Sequence, residues 1–212
     1  MSEPASTSAI PLARESETFL YAIAGLCVAI DVGLGAIVNL VKLPVYLDAV
    51  GTIAFALLAG RMGFRGFLLS AFVGAAAFVL TGLVFNPVVF WFIPTQVAIA
   101  AYSFYVARPL IGGFVSEVRF GLKQILLMVA VGVGLGIVAG AVSAPIIAYV
   151  FGGITGAGAS LIVAALLKTG ANLFQSVLAS GFASEPIDKT IQLFVAGALV
   201  RATPSRVRRL FI

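Results

Sequence analysis

Apolar residues in this chain fall in long blocks separated by short polar or glycine- and proline-containing breaks. The blocks cover residues 19–40, 46–60, a stretch from the hinge Arg61-Met62-Gly63-Phe64-Arg65-Gly66 to residue 85, then 95–110, 124–151, and a last run ending at Val200. Most are long enough, or nearly so, to cross a hydrocarbon core of about 30 Å as helices rising 1.5 Å per residue. None shows the alternation of apolar and polar positions that a membrane barrel needs. The pattern therefore predicts an all-α integral membrane protein. It is less regular at 161–182, which is apolar but carries Lys168, Asn172 and Gln175, and the run Glu185-Pro186-Ile187-Asp188-Lys189 precedes the last block.

Composition narrows the chemistry. Of 212 residues, 61% are hydrophobic and 10% charged, where a soluble domain carries about 25% charge. With no His there is no imidazole base, no Ser-His-Asp or Cys-His pair and no His-ligated metal, so hydrolytic catalysis is not expected. Cys27, the one cysteine, sits inside the first block and reads as a small core residue. The net charge of +5 is carried by residues beside apolar blocks, not by runs interleaved with aromatics, which argues against nucleic acid and for a topology signal.

Ten of the 13 basic residues (Arg14, Arg61, Arg65, Arg108, Arg119, Lys123, Arg201, Arg206, Arg208, Arg209) occupy the tails and alternate connections, whereas the connections around Asn86 and Gly156 carry none. Both termini are therefore expected in the cytoplasm, and the number of crossings is even. The expectation is six transmembrane helices with a long outer segment between helices five and six. Residues 1–18 read as a disordered cytoplasmic tail, 19–204 as the membrane domain with 158–184 as an outer, lid-like segment, and 205–212 as a basic cytoplasmic tail. In a seven-helix alternative, 161–184 crosses as well and the C-terminal arginines lie outside.

Two helices carry small residues every fourth position: Gly25, Ala29 and Gly33 on the first, Gly132, Gly136 and Gly140 on the fifth. Such stripes let another backbone approach. Packing within the bundle is the simpler reading for the fifth helix, while a partner protein is equally plausible for the first. The string Gly134-Leu135-Gly136-Ile137-Val138-Ala139 matches a dinucleotide fingerprint by letters only, because it follows no strand and opens no helix.

Ionisable groups in or beside a membrane cost roughly 2.5–3.5 kcal/mol each on insertion scales, so Asp31, Asp48, Glu185, Asp188 and Lys189 need partners or a purpose. Glu185 and Lys189, one turn apart, suit an internal salt bridge that leaves Asp188 free. Asp31 lies about 240° around the helix from Gly25 and reads either as bonded to a neighbouring helix or as part of a relay. Lys168, Asn172 and Gln175 are spaced i, i+4, i+7, so one helix through them would carry a polar stripe, lining a cavity or lying at the membrane surface. Tyr46, Phe90, Trp91 and Phe92 suit an interfacial belt, yet share the outer side with that stripe and offer rings on which a planar ligand stacks.

The segments Leu43-Pro44-Val45-Tyr46-Leu47-Asp48-Ala49-Val50-Gly51-Thr52, Phe151-Gly152-Gly153-Ile154-Thr155-Gly156 and Glu185-Pro186-Ile187-Asp188-Lys189-Thr190 resemble the substrate-binding S components of energy-coupling factor (ECF) transporters, and the resemblance covers nearly all of 19–204. It implies a six-helix protein of the bacterial cytoplasmic membrane that captures a vitamin-like organic micronutrient outside and reorients in the lipid to release it. It also implies partners: a transmembrane scaffold protein, which would meet Gly25, Ala29 and Gly33, and two cytoplasmic ATPases. The chain itself has no phosphate-binding loop for ATP. The family's outer substrate region corresponds here to Asn39, Lys42, Tyr46, Asp48, Asn86, Trp91, Gln96, Lys168, Asn172, Gln175, Glu185, Asp188 and Lys189. Nickel and cobalt members use a His-containing site, so an organic substrate is expected, with no cofactor and no resident metal. The alternatives are a self-sufficient secondary transporter or channel using Asp31 and Asp188 as a relay, and a membrane scaffold with no ligand.

Overall fold

The computed structural model describes residues 12–41, 46–115, 121–155, 159–205 and 207–208, and every regular element among them is helical. In chain order these are α1 (Leu12–Val41), α2 (Val50–Leu58), α3 (Gly63–Val84), α4 (Ile93–Tyr102), α5 (Arg108–Val115), α6 (Leu122–Pro145), α7 (Ala159–Lys168) and α8 (Leu173–Ala202). A π-helical stretch, Ser103–Ala107, joins α4 to α5 without a break, and a second, Ile146–Val150, extends α6 past Pro145. Four stretches, Glu17–Val38, Gly60–Val84, Pro87–Gly113 and Leu122–Val150, are long and apolar enough to cross a bilayer. Large apolar side chains such as Leu26, Phe72, Leu83, Leu126 and Ile137 point outward from them. Water would not tolerate so much exposed apolar surface, and lipid does. The chain is an all-α protein built for a membrane.

α1 starts at Leu12, inside the segment expected as a tail. The expected tail residues 1–11, Lys42, Arg119, Arg206 and residues 209–212 lie outside the described residues.

The block at 46–60 differs from the expected simple spanning helix. Residues 46–49 are extended, α2 follows with all nine residues buried, and a 3₁₀ turn, Gly60–Met62, ends it. Nine helical residues reach only about 14 Å. Helix cannot start earlier because the N–H groups of Tyr46, Leu47 and Ala49 are bonded to side chains of α8 instead of to a helical ladder, and Leu47 takes a left-handed backbone at φ 49°. α2 also lies directly on α1: a Cβ at Gly51 would overlap the backbone carbonyl of buried Cys27, so only glycine fits.

α6 and α8 form the tightest helix pair. Gly132 faces Thr190, Gly136 faces Pro186 and the Glu185 carbonyl, and Gly140 faces Phe182 and Gly181. The fifth-block stripe is thus a packing surface inside the bundle. Around these contacts α8 runs unbroken for 30 residues. The sequence Glu185 to Lys189, expected as a connection before the last helix, lies inside it, because its polar side chains find partners in the neighbouring 46–49 segment. A single helix through 161–182 does not form either. α7 ends at Lys168, Gly170 takes φ +90°, and the Asn172 side chain caps α8 by accepting from the Gln175 N–H at 2.8 Å. The expected stripe of Lys168, Asn172 and Gln175 is broken at that turn.

Among the described residues, the hinge with Arg65 and the Arg108 region lie at one end. Arg65 pairs with Glu17 at 3.6 Å, and the Arg108 guanidinium lies 5.1 Å from the Phe104 ring, beside Gly60. Tyr46, Asn86 and Thr155 follow the opposite ends of α1, α3 and α6, and there they surround one cavity.

Candidate functional site

The cavity is built on the extended segment and on the side chains that hold it. Asp188 Oδ1 accepts the N–H groups of Tyr46 (3.0 Å) and Leu47 (3.2 Å). Gln192 Oε1 accepts the Ala49 N–H at 2.9 Å, and its Nε2 donates to Asp188 Oδ2 at 2.8 Å. From α4, Gln96 Nε2 donates to the Asp48 carbonyl at 3.2 Å. Open backbone within a membrane protein persists only where such partners exist, since each unsatisfied group costs several kcal/mol.

Lys189 sits at the centre of the charge cluster. Its Nζ donates to Asp188 Oδ2 at 2.9 Å and to Asp48 Oδ1 at 3.1 Å, and lies 3.6 Å from Glu185 Oε2 and 5.8 Å from the centre of the Tyr46 ring. The expected Glu185–Lys189 pair therefore exists but is the longest of three. Asp188 is not free, as the sequence suggested, but fully buried with four donors around it. Pairing and hydrogen bonding are what make such buried charge tolerable.

The cavity has a volume of about 100 Å³. Gly35 and Val38 of α1, Phe78 and Thr81 of α3, Asn86, Val88, Val89 and Phe92 of the following connection, Thr95, Gln96 and Ile99 of α4, Ser143 of α6, Ile147 and Thr155 line it with Tyr46, Asp48, Glu185 and Lys189. Three buried polar atoms in this lining, Thr95 Oγ1, Gln96 Oε1 and Glu185 Oε2, have no hydrogen-bond partner. Roughly nine in ten buried polar groups are bonded in folded proteins. Three exceptions around one cavity leave acceptors there that water or another occupant can bond.

Of the residues proposed from the sequence, Tyr46, Asp48, Asn86, Gln96, Glu185 and Lys189 line the cavity, and Asp188 stands behind them. Trp91 does not: it is 56% exposed and meets Phe151 edge-on at 6.4 Å, while its neighbour Phe92 lines the cavity and stacks on Phe151 at 6.0 Å. Lys168, Asn172 and Gln175 are exposed at the α7–α8 turn, away from the lining. Lys42 and the side chain of Asn39 lie outside the described residues. Sequence reasoning pointed to Phe92 only as one of several candidate stacking rings and missed Thr81, Thr95, Ser143, Thr155 and Phe78 as lining groups. Hydroxyls and rings inside apolar blocks are ordinary there, and only knowledge of which helix faces meet would have picked them out.

Asp31 has a structural task. Its Oδ1 accepts the Gly51 N–H at 2.6 Å, and Oδ2 accepts the Thr52 N–H at 2.9 Å and the Thr52 hydroxyl at 2.8 Å, so α1 caps the first turn of α2. On the other side of α1, Gly25, Ala29 and Gly33 are exposed, with nothing within 4 Å of a Cβ at either glycine. No group of three or more His, Cys, Asp or Glu side chains able to hold a metal occurs among the described residues. Compared with family models, curated proteins and solved structures, the chain matches none.

Proposed function

We propose that this chain is a membrane substrate-binding subunit of the ECF S-component type, which captures a small organic micronutrient at its outer end and reorients in the bilayer to release it. The observation that carries the reading is the cavity remote from the basic end, where three buried polar atoms await partners. Tyr46, Asp48, Asn86, Gln96, Glu185 and Lys189 contact the ligand in this reading, and Asp188 positions Lys189 and the 46–49 segment.

Six crossings follow if two unconventional segments are counted. The extended residues 46–49 at about 3.3 Å each and α2 at 1.5 Å per residue together reach about 27 Å, nearly a hydrocarbon core. α8, at about 45 Å, is long enough to cross and to stand clear on the outer side, where α7 packs against it. With the arginine-rich connections on the inside, both termini are cytoplasmic. The exposed Gly25, Ala29 and Gly33 face is the surface offered to a scaffold protein, because small residues allow close helix approach. Transport energy comes from two partner ATPases of the bacterial cytoplasmic membrane.

The test is the thermal stability of the purified chain in detergent against B vitamins, their precursors, nucleobases and amino acids. A ligand at a hundredfold excess over its Kd adds about 2.7 kcal/mol to native-state stability. A selective, saturable shift, together with cellular uptake that stops when the partner ATPases are deleted, supports the reading. No shift, with cation- or proton-coupled flux in liposomes holding this chain alone, overturns it in favour of a self-sufficient transporter.

A further inference from the structure

Resting on the binding-subunit reading, we infer that the ligand of this cavity is a small organic cation, an N–H-bearing positive nitrogen on a molecule of at most one ring. The bond inventory of the lining gives the sign. Lys189, the one basic residue among the described lining residues, is already committed: Asp188 and Asp48 take two of its three N–H groups and Glu185 stands nearest the third. Asp188 is saturated by two backbone N–H groups, Lys189 and Gln192. An anionic ligand would find no unspent ammonium among the described lining residues and would face the acidic groups of Glu185 and Asp48.

What remains unspent is acceptor capacity. Gln96 uses its amide nitrogen on the Asp48 carbonyl, which fixes its orientation and leaves Oε1 without a donor. Glu185 Oε2 has only its 3.6 Å ion pair with Lys189 and no closer donor, and the residue is buried. Three carboxyl groups share one ammonium, so even with one of them protonated the cluster is short of positive charge, and buried charge is stable only when compensated. A ligand bringing both a positive charge and N–H donors corrects both deficits, and charge-assisted bonds are the strong ones. The aromatic wall agrees, since Tyr46 and the Phe92 ring backed by Phe151 offer faces that attract cations. Asn86 spends its oxygen on the Val88 N–H at 3.1 Å, so its amide N–H groups are left for an acceptor elsewhere on the ligand.

Volume sets the size. A cavity of roughly 150 Å³ in an engineered protein core takes up benzene, so the about 100 Å³ found here suits one ring or a compact chain. A three-ring flavin is too large.

The experiment uses the full-length chain in detergent, with calorimetry and thermal shift, against size-matched probes: 3-aminomethylpyridine and benzamidinium as cations, nicotinamide and benzamide as neutral forms, nicotinate and benzoate as anions, and riboflavin as the large probe. The expected result is saturable binding by cationic probes, with neutral and anionic counterparts at least about a hundredfold weaker. Glu185→Gln keeps the shape and removes the charge, and is expected to weaken the cation at least about tenfold while moving a neutral probe less than about twofold. Asp48→Asn, on a partly exposed carboxylate, supplies the same charge test should Glu185→Gln not fold. Saturable binding of an anion or of riboflavin with the cations silent, or a cation affinity unmoved by either variant, overturns the inference and leaves the binding subunit standing. No saturable binding by any probe or by the micronutrient panel overturns both.

Discussion

Asp31 distinguishes a structural from a transport role more sharply than any other residue in this chain. It supplies the capping carboxylate for α2, accepting two backbone N–H groups and one hydroxyl, all buried. Asp31→Ala removes all three bonds and strands the Gly51 and Thr52 N–H groups where water does not reach. A stranded buried donor costs roughly 1–3 kcal/mol, so two such donors put the loss near 4 kcal/mol. For a chain of this size each kcal/mol corresponds to about 2–4 °C, giving a fall in melting temperature of about 8–16 °C. Asp31→Asn keeps the bond to Gly51 through Oδ1 but points an amide at the Thr52 N–H, and is expected to lose about half as much. Thermal unfolding in detergent measures both, and ligand affinity measured well below the melting point should stay at the parent value. A proton or cation relay through Asp31 makes the opposite forecast. If Asp31→Asn melts with the parent but loses transport or binding, capping is not what Asp31 is for, and the structural reasoning fails.

Further outcomes follow from particular contacts. Asp188→Ala withdraws the acceptor of two backbone N–H groups and the closest counterion of Lys189, so it should destabilise the chain by about 3–5 kcal/mol, read as a melting point more than about 6 °C lower. At Gly33 a Cβ meets nothing within 4 Å and the residue is exposed, so Gly33→Leu should leave the isolated chain as stable as the parent or firmer by about 0.5–1 kcal/mol while abolishing co-purification with a scaffold protein; Gly51→Ala, driven into the Cys27 carbonyl, should fail to fold. Trp91→Ala and Lys168→Ala, both outside the cavity lining, should leave ligand affinity within about twofold of the parent by calorimetry, and a larger loss from either would mean that the binding site lies elsewhere.

The sequence alone determined that this is a helical membrane protein, because long apolar blocks and scarce charge leave no other way to satisfy backbone and surface together. It also showed an alternation of basic and uncharged connections, of which the structure places Arg65 and Arg108 at the end away from Asn86 and Thr155, and it singled out six of the cavity-lining residues, since polar groups stand out against an apolar background. Tertiary structure decided what each of these groups does. Asp31, Asp188 and Gln192 bond backbone N–H groups on or just before α2, partners 20 to 143 residues away in sequence that no local spacing reveals. The same long-range bonds kept 46–49 extended and let α8 run through Glu185 to Lys189, where local propensity suggested a helix and a break respectively. The hydroxyls and rings that complete the cavity were invisible for a related reason. Helix periodicity tells which residues share a face, but only packing decides whether that face meets lipid, another helix or an enclosed space.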